Sequence, residues 1–169
     1  MKWFIYLIVA ITYSCSSHKS PIYVEIAHSI TARTATKLKY QKDLHLIGTG
    51  GAMMDHIKMM AMSFRYYHEV DIDRGRKLLL DALHTYLDAV NSNEEVRPYL
   101  ANYPFEPKNI EINIFISEPD GHSVSSGKIT VMGAINGVLD YDIRNAETGR
   151  LQEVYRESYD QALQKSRPN

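Results

Sequence analysis

Histidines, carboxylates, methionine sulfurs and a glycine cluster crowd into Leu44–Tyr67, LHLIGTGGAMMDHIKMMAMSFRYY. Gly48, Gly50 and Gly51 could present backbone N–H groups to a phosphate or an oxyanion. A dinucleotide fingerprint would need a third glycine at position 53, where Met53 stands, and the lysine and hydroxyl of a phosphate loop are missing too. A tight turn that lets backbone pack closely is the stronger reading. Asp55 and His56, with His45 and His68 nearby, could form an acid–base pair or supply oxygen and nitrogen ligands to zinc. His68-Glu69 runs on to Asp71 instead of a second histidine, so no zinc-protease helix is spelled out. Nor does the chain contain a GxSxG nucleophile elbow. Asp71-Ile72-Asp73-Arg74-Gly75 opens like a calcium loop but lacks the later acidic ligands, and reads as a helix cap.

Met53, Met54, Met59, Met60 and Met62 place five of the seven methionines in this stretch. Soft thioethers select Cu(I), and His56 could join them. Methionine is equally a flexible filler of irregular cores, which is the stronger reading. Tyr66, Tyr67, Tyr99 and Tyr103 could line a binding surface or a core edge. No motif implies a cofactor, and no metal is assigned.

The elements that must position these groups follow from periodicity. Ile22, Tyr23, Ile26, Ala27 and Ile30 keep helical spacing and predict a helix over 22–42. Leu44, Leu46 and Ile47 predict a short strand that stops at Gly48, followed by a glycine turn or bulge. Residues 52–66 fit two patterns: the methionines favour helix, and the aromatic end Phe64-Arg65-Tyr66-Tyr67 favours a strand over 57–66, paired antiparallel with 44–47. Asp71 or Asp73 caps the clearest helix, whose stripe runs through Ile72, Leu79, Leu83, Tyr86 and Val90. Strands follow over 110–116 and 128–135, and Asn136-Gly137 turns the chain into a third over 138–143. Leu151, Val154, Tyr155, Tyr159 and Leu163 share one face of a final helix. The order α-β-β-α-β-β-β-α implies an α+β fold: a single mostly antiparallel sheet with helices packed mainly on one face, in one domain over 22–169.

Composition is that of a soluble globular domain, with a formal net charge of −1. No basic stripe marks a nucleic-acid partner. A single cysteine excludes an intrachain disulfide. That cysteine, Cys15, stands behind Lys2, the apolar run Trp3–Ile11 and the small residues Thr12 and Ser14, the plan of an export signal over 1–14. The apolar run is shorter than the roughly 20 residues of a membrane span. Together with the polar Ser16-Ser17-His18-Lys19-Ser20, this N-terminus resembles that of small bacterial envelope lipoproteins, departing from their box at Thr12 and Tyr13. The resemblance implies acylation (palmitate among the chains) of Cys15, a polar tether over 15–21 and attachment to a membrane through that lipid. An ordinary cleaved signal, giving a periplasmic or secreted protein, is the alternative the residues leave open. The expected role is a binding or assembly module with an envelope protein as partner. An envelope enzyme around Gly48, Gly50, Gly51, Asp55 and His56, or a Cu(I)-binding methionine cluster, are the alternatives.

Overall fold

The computed structural model describes residues 20–167. The stretch read as an export signal over 1–14, Cys15 and most of the expected tether over 15–21 lie outside the described residues. Helix α1, Ile22–Lys42, follows Pro21 and buries Ala27, Ile30, Thr31, Thr34, Ala35 and Leu38. Its threonines can be buried because Thr31 and Thr34 donate to the carbonyls of Ala27 and Ile30, each at 2.8 Å. Asp43 ends the helix in the left-handed region at φ 57°, its N–H donating back to Leu38 and Lys39.

Strand β1, His45–Met53, pairs antiparallel with β2, Ile57–Tyr66. Of the turn or bulge expected at Gly48–Gly51, the structure corrects the turn: the strand continues through the glycines after a bulge between Leu46 and Gly48, pairing from Gly48 opposite Ser63 to Ala52 opposite Met59. Close approach explains the glycine at position 51. A Cβ there would lie 3.0 Å from the Met59 carbonyl oxygen and 2.5 Å from the Met53 methyl. In β2, Met60, Met62 and Phe64 are fully buried, and the strand reading of 57–66 holds.

Helix α2, Ile72–Asn91, is capped by Asp71, whose carboxylate accepts the Arg74 N–H at 2.8 Å. It carries the chain back to β3, Ile110–Ile116, which therefore lies parallel to β2. Strands β4, Ile129–Ile135, and β5, Val138–Arg144, form the expected hairpin, with positive φ at Asn136 and Gly137. The second correction concerns Leu151–Ser158. It is not the first half of the last helix but a sixth strand, β6, antiparallel to β5. Its apolar residues fit helical spacing, yet Tyr155 and Glu157 alternate inward, and pairing with β5 satisfies the backbone of both strands. Helix α3 is only Tyr159–Ser166, opened by a capping box between Ser158 and Gln161.

The six strands lie in the order β1-β2-β3-β4-β5-β6, and the fold is α+β with a mostly antiparallel sheet. The helices share one face. One core joins Leu79, Leu83 and Tyr86 of α2 to the isoleucines of β3 and to Met132, Leu139 and Tyr141. The other face is mixed: Glu111, Asn113 and Asp140 are half-buried on it beside Met59, Val131 and the exposed Phe115 and Ile135. Burial, followed by repulsion from Asp142, holds the Asp140 carboxyl above its ordinary range.

Two ends of the sheet are thereby defined. Ten residues of β2 span about 30 Å. At its start sit the hairpin turn at Met54–His56, the beginning of α1 and the end of α2; at its finish sit the start of α2, the end of α1 and the start of β6.

Candidate functional site

Asp55 and His56 lie exposed in the β1–β2 turn. Gly48, Gly50 and Gly51 lie on the outermost strand. His45 and His68 are brought together at the far end of β2, around Asp43 and not around Asp55-His56. His45 Nε2 meets one Asp43 oxygen and His68 Nε2 the other, each at 3.0 Å. The hydrogen bond with His68, then that with His45, holds the Asp43 carboxyl below the usual carboxylate range. All three groups are a third or more exposed, so the cluster is a solvated charge arrangement. Among the described residues no three His, Cys, Asp or Glu side chains are grouped to hold a metal ion.

The methionines separate instead of converging. Met60 and Met62 face the helices and are fully buried, Met59 faces the opposite side of the same strand, and Met54 projects from the turn at 87% exposure. That distribution overturns the Cu(I) cluster, which needs sulfurs around one point. The tyrosines divide likewise. Tyr66 is buried, while Tyr99 stacks on Tyr23 at 5.5 Å near the turn, and Tyr103 lies under the Arg97 guanidinium at 4.5 Å.

The largest cavity lies elsewhere, at the end of the sheet where α2 begins. It holds about 830 Å³, within the range of ligand pockets. Its apolar wall is Val70, Ile72, Ile129, Ile143 and Val154. Its rim is Glu69, Asp71 and Asp73, with Lys128 bonded to Glu69 at 2.9 Å. Geometry explains why it exists. Eight helical residues of α3 rise about 12 Å, whereas eight strand residues of β6 extend about 26 Å. The helix follows the strand directly, so it covers the β6 end nearest Ser158 and leaves Leu151–Val154 bare.

Behind the rim runs a buried ionic network that sequence reading missed. Glu157 on β6 accepts Arg76 Nε at 2.6 Å and the Tyr141 hydroxyl at 3.2 Å on one oxygen. Its other oxygen accepts Lys165 Nζ at 3.0 Å and the Tyr155 hydroxyl at 3.3 Å. Arg76 also bonds Asp73 on the cavity rim. Burial by itself would raise the Glu157 carboxyl, but the bonds from Arg76 and Lys165 outweigh it and hold the group below its ordinary range. For Tyr141, burial and then the Glu157 charge push the phenol far up. One sequence signal existed: Arg76 sits on the apolar stripe of α2 between Ile72 and Leu79, a place for a charge only if it has a partner. With every oxygen of Glu157 occupied, the network is a clamp joining α2, α3, β5 and β6. A second cavity of about 450 Å³ adjoins this clamp across Asp71 and Asp73.

Compared with protein-family models, curated proteins and solved structures, the chain matches none. The arrangement itself therefore defines the chemistry: an apolar recess with a carboxylate rim, suited to holding a ligand. No nucleophile–base pair faces it among the residues that line it.

Proposed function

We propose that this chain is an exported binding module of a bacterial envelope, acylated at Cys15 and held to the membrane, with its binding cavity presented away from the bilayer. The observation that carries the reading is the polarity of the body. The chain enters it at Pro21, beside the β1–β2 turn, where the Tyr23 hydroxyl donates to the Met54 carbonyl at 2.7 Å. The cavity opens at the opposite end of the sheet, about 30 Å away. The six steps from Cys15 to Pro21 reach at most about 20 Å, too short to bring the cavity end round to the surface that holds Cys15. Ile22, Met54 and Tyr103, all exposed, finish the tethered end with apolar surface. No helix of the described residues is long and apolar enough to cross a membrane, so attachment would come from the lipid.

The test is expression in a bacterial host with a mass measurement of the protein recovered from membranes. The expected product begins at Cys15 and carries the added mass of its acyl chains, and Cys15→Ser releases the protein from the membrane fraction. An unmodified chain with its initiator methionine, recovered from the cytosol, would overturn the reading.

A further inference from the structure

The uncovered half of β6 and the cavity beside it form one continuous feature. Strand β6 is one of the two edge strands, paired among the described residues only with β5, so one row of its backbone donors and acceptors faces outward. Leu151, Gln152, Glu153 and Val154 are all exposed. Val154, at the bulge that shifts the β5–β6 register between Tyr141 and Asp142, and Ile143, opposite Gln152, belong at once to this end of the sheet and to the cavity wall. A strand laid along β6 here would extend the sheet past α3 and point every second side chain into the recess. The rim adds a charge preference. Lys128 holds Glu69 and Arg76 bonds Asp73, which leaves Asp71 as the rim carboxylate with no cation bonded to it among the described residues, its oxygen accepting only the Arg74 N–H.

The opposite edge lacks this combination. Residues Gly48–Ala52 of β1 are uncharged and open, but the groove beside them holds only about 140 Å³. It could pair with backbone without reading side chains.

Resting on the cavity being the binding site, we propose that the occupant is an extended segment of a partner polypeptide, added as a seventh strand along Leu151–Val154. Its alternate apolar side chains fill the recess, and a lysine or arginine meets the carboxylate rim.

The experiment uses the full mature protein in lipid nanodiscs, labelled at isoleucine methyls. Three probes are titrated: a blocked peptide of alternating valine and threonine with a lysine at each end, the same peptide ending in glutamates, and benzyltrimethylammonium. The lysine peptide is expected to shift the Ile72, Ile129 and Ile143 methyls, and to bind at least tenfold more tightly than the glutamate peptide. Val154→Lys, at an exposed position that leaves the core intact, should weaken it at least tenfold. Equal binding of both peptides overturns the charge assignment. A response to benzyltrimethylammonium alone overturns the strand and leaves the cavity as a small-cation site. Silence with all three probes overturns the cavity itself, while the mass of the mature protein reports on the tether independently.

Discussion

The two ends of this molecule are built from the same six strands and finished in opposite ways. At the end where α1 begins the chain turns tightly: β1 into β2 through Met54–His56, β4 into β5 through Asn136-Gly137, and β6 directly into α3. The core there is closed, with Ile57, Met60 and Ile110 fully buried. At the other end the cover stops short of the strands. Helix α2 starts only at Ile72 and α3 never reaches Leu151, so apolar strand positions stay beside open space. The difference teaches that a sheet is left uncovered where a helix follows a strand of equal residue count, because the helix is less than half as long.

The largest effect should come from the clamp behind the cavity. Arg76→Met removes the guanidinium while Glu157 stays buried, a loss of about 3–5 kcal/mol by urea unfolding. Hydrogen exchange should rise at the first turns of α2 and spare α1. A loss under about 1 kcal/mol, or faster exchange at the end where α1 begins, would break the comparison. The depressed Glu157 carboxyl carries a sign as well: its contribution is present above the unfolded carboxylate range and fades as pH falls through the folded value. Glu157→Gln should flatten that acid limb.

A pair of truncations sharpens the contrast between closed core and open recess. Ile114→Ala, at a fully buried position, should cost about 2–5 kcal/mol. Val154→Ala, at a position 45% exposed on the cavity wall, should cost under about 1 kcal/mol. Equal costs, measured by thermal and urea unfolding, would mean the recess is packed in solution.

The opposite flank of α2 gives the smaller, alkaline effect. Burial raises the Tyr86 phenol to about 12, although its hydrogen bond with Thr31, 2.6 Å long, opposes the shift. Since the folded value exceeds the unfolded one near 10, the neutral phenol's stabilisation is complete below pH 10 and is lost as pH climbs towards 12. The loss amounts to about 2–3 kcal/mol. Tyr86→Phe should remove this limb from the stability profile; an unchanged limb would place the titration elsewhere.

Much of the fold was legible because α1, α2 and the β4–β5 hairpin each carry a local signal: a stripe, a cap, a turn dipeptide. Gly48–Gly51 misled because pairing with Ser63–Met60 overrides the poor strand preference of glycine, a contact no local window contains. Leu151–Ser158 misled because a short edge strand can satisfy helical spacing by accident, and only the vacancy beside β5 decides it. The candidate site was largely invisible for the same reason. Val70, Ile129, Ile143 and Val154 come from four separate stretches, and the recess exists through what fails to cover them. Sequence proximity set His45 and His68 beside Asp55-His56, but the carboxylate they meet is Asp43, fixed by the left-handed end of α1.

The proposed tethering, with the cavity held away from the bilayer, is tested most directly by methyl NMR of the membrane-recovered protein in nanodiscs whose lipid headgroups carry a paramagnetic label. The account predicts strong broadening of the Met54 methyl and little or none at Ile129 and Ile143. Broadening at Ile129 and Ile143 with a sharp Met54 signal would contradict it.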